Sequence, residues 1–233
     1  MEFYHEWKKN KDNTLISLDY AEKFLASHSE STIPFFQGSE DEIRVIVQFL
    51  KEEPIDIFFE VIKKKDFEEK IPPHLYPCFS NFYNGATRLN EILEFSPNGS
   101  NFVEIGYMLM ESETQLARMK YGENHSKLAE VMSLVEIRPT RPAIVKNTAL
   151  GKYLAYIPIQ DKENVLKKLL LRNVVIQRII RDAMQNQASY KNIAVNLKKS
   201  TAYRRRTSIK YLIEFILQGT SFEYLVSQID WQV

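Results

Sequence analysis

Apolar side chains recur along most of this chain at intervals of three and four residues, the spacing that lines one face of an α-helix. Tyr20, Ala21, Phe24 and Leu25 predict a helix over Asp19 to His28. Ser39 can cap a second helix with Ile43, Ile46, Val47 and Leu50 inward, because its hydroxyl accepts from amides that lack a partner one turn earlier. Pro54 suits the first turn of a third helix running to about Lys64, with Ile55, Phe58, Phe59 and Ile62 on the core side. Pro72, Pro73 and Pro77 interrupt regular structure between Lys70 and Asn84, and helical spacing returns over Gly85 to Phe95. Residues 1–97 therefore read as an all-α domain.

From Asn101 the pattern changes. Phe102, Ile105, Met108 and Leu109 predict a first helix, Glu113 to Met119 a short second and Asn124 to Leu134 a third. Val135 to Ile137 and Ala143 to Val145 then predict two short strands around Arg138-Pro139-Thr140-Arg141-Pro142. Helix, helix, helix, strand, turn, strand is the order of a winged helix-turn-helix, in which the hairpin, or wing, touches a nucleic-acid backbone or minor groove. Arg138 and Arg141 occupy the wing positions. A second unit of this kind fits the remainder: a helix over Asn173 to Met184, a short one capped by Ser189, and a long one beginning at Ser200. Between the units, Asp161 to Arg172 predicts a connecting helix with Lys167, Lys168 and Arg172 outward. The predicted fold class is mainly α: a helical N-terminal domain (1–97), a first winged-helix unit with its connecting helix (98–172) and a second unit (173–233), each unit with a small β wing.

The last long helix carries the clearest chemistry. Ile209, Leu212, Ile213, Ile216 and Leu217 form one buried stripe. Projected backward, Arg205 and Arg206 flank the stripe, and Tyr203, Arg204, Thr207, Lys210 and Tyr211 point outward. Ser200 or Thr201 can cap the start, behind Lys198 and Lys199. Three consecutive arginines in a first turn oppose the helix dipole by roughly a few tenths of a kcal/mol each, so the segment predicts an anionic partner, and phosphate suits both the amides and the guanidinium groups. The competing reading is a solvated basic helix end with no ligand. In the first unit, Asn124, His125, Ser126 and Lys127 supply small or polar donors at the predicted start of the third helix; simple capping is the alternative role for Asn124 and Ser126.

Three runs resemble a winged-helix family associated with restriction–modification and related defence proteins: Glu113-Thr114-Gln115-Leu116-Ala117-Arg118-Met119-Lys120-Tyr121, Lys146-Asn147-Thr148-Ala149-Leu150-Gly151-Lys152-Tyr153-Leu154 and Ser200-Thr201-Ala202-Tyr203-Arg204-Arg205-Arg206-Thr207-Ser208-Ile209. The resemblance spans about residues 100–217. It implies recognition of duplex DNA and supplies no catalytic residue.

Charge sharpens the expectation. The chain of 233 residues has a formal net charge of +1, yet residues 1–98 hold 11 Lys and Arg against 18 Asp and Glu, while residues 99–233 hold 20 against 12. A net of −7 followed by +8 suits a polyanion on the second half and a protein partner or second copy on the first. A single cysteine, Cys78, excludes a disulfide framework. No signal peptide or membrane span is legible, so a cytoplasmic location is expected. Asp56, Glu60 and Lys63 are the nearest approach to a two-metal nuclease pattern and fail its spacing; His74 and Cys78 offer two of the three or four ligands zinc requires. With no cofactor motif and no catalytic motif, the expected function is non-enzymatic: double-stranded DNA binding, in a restriction or phage-defence setting. A transcriptional regulator, a plasmid replication initiator and a nuclease subunit with a cryptic site in residues 1–97 remain alternatives.

Overall fold

The computed structural model describes residues 2–10, 13–26, 33–68, 70–81, 83–110 and 114–233. It is mainly helical, with one small three-stranded antiparallel sheet. The N-terminal helices are α1 (Glu2–Asn10), α2 (Thr14–Leu25), α3 (Ile33–Gln37), α4 (Glu40–Glu52) and α5 (Ile55–Lys64). The predicted start of α2 is too late, because Asn13 caps it and accepts from the Leu15 amide; His28 lies outside the described residues. Ser39 caps α4 as expected, and Glu42 returns the bond to the Ser39 amide in a reciprocal capping box. Trp7, Phe24, Phe49 and Phe58 interlock edge to face beneath these helices.

After a 3-10 turn at Pro73–Leu75 and a π-helical turn at Tyr83–Arg88 come α6 (Leu89–Glu94), β1 (Ser100–Asn101), α7 (Phe102–Leu109), α8 (Gln115–Val131), β2 (Val135–Arg138) and β3 (Ile144–Asn147). The strands lie in the order β1-β3-β2, with Val135 opposite Asn147 and Ser100 opposite Val145. The two short helices predicted before the hairpin are a single one, α8. Gly122, which breaks the sequence pattern, serves the helix crossing instead: a Cβ there would sit 2.0 Å from the Phe102 carbonyl oxygen, and one at Gly106 would sit 1.9 Å from that of Arg118. The paired glycines let α7 and α8 meet backbone to backbone.

The rest of the chain comprises α9 (Ala149–Ala155), α10 (Ile159–Leu170), α11 (Val174–Met184), α12 (Tyr190–Ile193), α13 (Lys199–Leu217) and a 3-10 turn at Glu223–Gln228. No second hairpin follows α13. Its place is taken by the 3-10 turn and a lone parallel bridge between Ser189 and Asp230, which corrects the prediction of a second wing. The residues after α13 fold back instead: Phe222 packs edge to face on Phe59 of α5, and Leu225 and Ile229 are buried.

Helix α10 is pinned through its lysines, of which Lys167 and Lys168 were expected to face water. Lys162, Lys167 and Lys168 are all buried. Lys162 donates to the Leu154 carbonyl at the end of α9 (2.7 Å), Lys167 to Gln218 at the end of α13 (2.8 Å), and Lys168 to Leu50 and Glu53 at the end of α4. Terminal carbonyls of a helix have no partner within it, so a cation satisfies both their lone pairs and the negative end of the dipole. One helix thus closes the C-terminal ends of three others. The helices α3, α4 and α5 pack on α9, α10 and α11, and their buried side chains belong to the same apolar cluster.

Candidate nucleic-acid interface

The stripe of α13 is buried as its periodicity predicts: Ile209, Leu212, Ile213, Ile216 and Leu217 have no exposed surface. Each such side chain contributes roughly 1.5–3 kcal/mol, which fixes the rotation of the helix and therefore what its outer face shows. Lys198, Lys199, Ser200, Tyr203, Arg204, Thr207, Lys210 and Tyr211 are exposed, and Thr201 is half-buried. The helix starts one residue earlier than predicted. Lys198 stands at its N-cap with no side-chain cap bond, so neither Ser200 nor Thr201 performs that role.

The three arginines divide. Arg204 is exposed, with its Nε 3.4 Å from the Ser200 carbonyl one turn back. Arg205 turns inward and donates to the carbonyl oxygens of Pro73 (3.2 Å) and Tyr76. Arg206 stacks on the Tyr203 ring at 4.6 Å and reaches the Trp231 carbonyl at 3.4 Å. Tyr76 in turn donates to the Ile193 carbonyl, and Asn173 to that of Leu75. The proline-rich segment of residues 71–79 is therefore a strap across α11, α12 and α13, and Arg205 is its clasp. Arg205→Ala should cost about 1.5–3 kcal/mol of stability, through loss of charge-assisted bonds to two carbonyls, whereas exposed Arg204→Ala should stay within about 0.5 kcal/mol of the parent. Urea denaturation of the two variants checks this; equal stabilities would remove the clasp.

In the first unit the predicted donors are not at a helix start. Asn124, His125, Ser126 and Lys127 lie in the middle of α8, and His125 and Ser126 are fully buried. The His125 ring packs edge-on to Phe79 (4.6 Å) and Tyr121 (4.3 Å), and burial pushes its pKa down to about 4, so it is neutral at physiological pH. Asn124 is half-buried. Lys127 is exposed but held by Glu123 at 2.6 Å, which also takes Lys120 at 2.9 Å. The pair holds the Glu123 carboxyl below its ordinary range despite partial burial.

Arg138 and Arg141 are exposed at the β2–β3 turn; Arg138 leans on Glu136 at 3.3 Å, and no described carboxylate pairs with Arg141. Lys191 and Asn192 are exposed on α12, the element before α13, and the sequence reading named neither. No family model matches the chain, and neither a curated protein nor a solved structure is similar to it.

Other chemistry is sparse among the described residues. No group of three or more metal-ligating side chains occurs, and no helix is long and apolar enough to cross a membrane. Asp56, Glu60 and Lys63 are exposed along α5, with Asp56 accepting from the Ser221 hydroxyl at 2.6 Å. His74 is exposed and Cys78 partly buried.

Proposed function

We propose that the protein binds double-stranded DNA through the outer face of α13, with the β2–β3 hairpin as a second contact. The observation that carries this reading is the exposed front of α13: Lys198, Lys199 and Arg204 form no ion pair among the described residues, and Tyr203 and Thr207 stand between the cations. A helix start this cationic gains little by itself, since its own dipole repels the charge. An anionic backbone supplies the missing partner, by ion pairing and by release of condensed counterions. Arg204, Thr207 and Lys210 have the reach and chemistry to meet base edges or phosphates in a major groove.

The succession α6, β1, α7, α8, β2, β3 with strand order β1-β3-β2 supports a winged-helix reading of the first unit. In that reading Arg138 and Arg141 are wing contacts to backbone or minor groove. Helices α11, α12 and α13 supply a second helix-turn-helix, without a wing. The acidic start of α4, where Glu40 and Asp41 are exposed, suits a protein partner or a second copy. The setting in restriction or phage defence rests on the resemblance of the runs at 113–121, 146–154 and 200–209.

The test is a binding titration on duplex DNA at several salt concentrations. Replacing Lys198, Lys199 and Arg204 with alanine together should flatten the log–log salt slope by roughly 2–3, about 0.9 for each phosphate no longer neutralised. The variant should melt with the parent, because all three side chains are exposed. Parent protein that binds no duplex, or a triple variant with an unchanged slope, rejects the proposal.

A further inference from the structure

A cleft of about 700 Å³ opens where the end of α3 and the start of α4 face the end of β3 and the outer side of α9. Its volume is within the range of small-molecule sites, about 300–1,000 Å³. The run at 146–154 supplies one wall of the cleft and seats it. Thr148 accepts from the Gly151 amide at 2.9 Å and donates to the Ser133 carbonyl at 2.8 Å, and a Cβ at Gly151 would meet the Leu134 carbonyl oxygen at 1.9 Å. Those two residues seat α9 against the sheet. Lys152 and Tyr153 of the same run, with Tyr156 beyond it, line the cleft.

Polar groups around the cleft are mostly engaged. Glu40 pairs with Arg44 at 3.1 Å on its own helix. Asn147 donates to the Asn90 carbonyl and to Glu94, each at 2.9 Å, and the Tyr156 hydroxyl donates to Glu94 at 3.0 Å. Lys152 forms no ion pair among the described residues. Large aromatic surface is also uncovered: Phe36 is 47% exposed on the α3 wall and Tyr156 76% exposed on the α9 wall. What remains for a ligand is an apolar floor with Ile43 and Ile157, two aromatic walls, the Gln37 carboxamide at the rim and one ammonium group.

We propose that this cleft binds a flat aromatic anion, a ring of nucleobase size bearing one phosphate or carboxylate. The ring packs against Phe36 and Tyr156, where offset or edge-on contacts between π systems are favourable, and the anion meets the Lys152 ammonium. Asn147, the last residue of β3, borders the same cleft, so an occupant touches the strand that carries the hairpin. The proposal is independent of DNA binding.

Isothermal titration of the full chain tests it with adenosine 5′-monophosphate and indole-3-acetate as ringed anions, and with ribose 5-phosphate and adenosine as partners lacking ring or charge. At least one ringed anion should saturate the protein with Kd of about 1 mM or tighter, while each incomplete analogue binds at least about tenfold more weakly. Preference for the nucleotide assigns a phosphate-bearing ligand, and preference for the indole acid assigns a carboxylate. Lys152→Ala and Phe36→Ala, both at exposed positions, should each weaken binding about tenfold with unchanged thermal melting. Absence of saturable binding by both ringed anions, or parent affinity in both variants, overturns the proposal.

Discussion

Gly122→Ala is expected to destabilise the protein by about 3 kcal/mol or more, lowering Tm by roughly 6–12 °C. The added methyl would stand 2.0 Å from the Phe102 carbonyl oxygen and 2.9 Å from the Gly106 amide nitrogen, both backbone atoms of α7 that no side-chain rotation can move aside. Either α7 lifts from α8 or α8 bends, and the packing of Ile105, buried at that crossing, is loosened in both cases. Gly219→Ala is the matched control. Its backbone is left-handed (φ +73°) and nothing lies within 4 Å of an added Cβ, so it should cost only about 1 kcal/mol through backbone strain. Calorimetric melting of both variants distinguishes a steric crossing from a general intolerance of glycine loss. A Gly122→Ala protein that melts within a degree of the parent would show that the helices have room to spare.

Lys168→Met should cost about 3 kcal/mol or more, although the two side chains are similar in volume. The Leu50 and Glu53 carbonyls lose their donor deep between α4 and α10. The Glu53 carboxylate, buried and accepting from Trp7 Nε1 (2.5 Å) and Ser17 (2.8 Å), loses its cationic neighbour. Adding Glu53→Gln should recover part of the loss, because a carboxamide oxygen still accepts from Trp7 and Ser17 while the unbalanced charge disappears.

The same lysine predicts a pH dependence. Burial pushes Lys168 down to about 8, with Glu53 opposing, whereas in the unfolded chain it titrates near 10.4. Between these values the unfolded chain binds more protons, so this group makes stability rise with pH from about 8, by up to roughly 1.4 kcal/mol per pH unit. Lys162, also near 8 through burial, acts alike in parent and variant. The stability difference between parent and Lys168→Met should therefore widen from pH 7 to pH 9.5 in urea titrations. A constant difference would mean that the folded protein leaves this lysine at its ordinary pKa.

How far such features can be read from sequence varies within a single helix. In α13, the buried stripe and the outward Tyr203, Arg204, Thr207, Lys210 and Tyr211 follow from a 3.6-residue period, which depends only on neighbours along the helix. Arg205 and Arg206 were placed correctly at the edge of the stripe. Their partners, the carbonyls of Pro73, Tyr76 and Trp231, are 25 or more positions away in sequence and leave no mark on local spacing. Misjudgement of the α10 lysines has the same origin. Hydropathy assigns an ammonium group to water, and only the convergence of three helix ends creates buried acceptors strong enough to hold it. Gly122 lies in the gap between the two predicted helices; glycine weakens a helix locally, and the close approach to α7 that it permits leaves no mark on periodicity.

By itself, the sequence determined a mainly helical chain, the capped start of α4, the two strands of the hairpin and the exposed cations of α13. These are short-range consequences of periodicity, capping and turn chemistry. Only the tertiary structure decided that α8 is continuous, that no second hairpin follows α13, that His125 and Ser126 are core residues and that Arg205, at the edge of its stripe, clasps a strap. Each of those outcomes depends on which distant backbone groups need a partner, and that is settled when the elements pack.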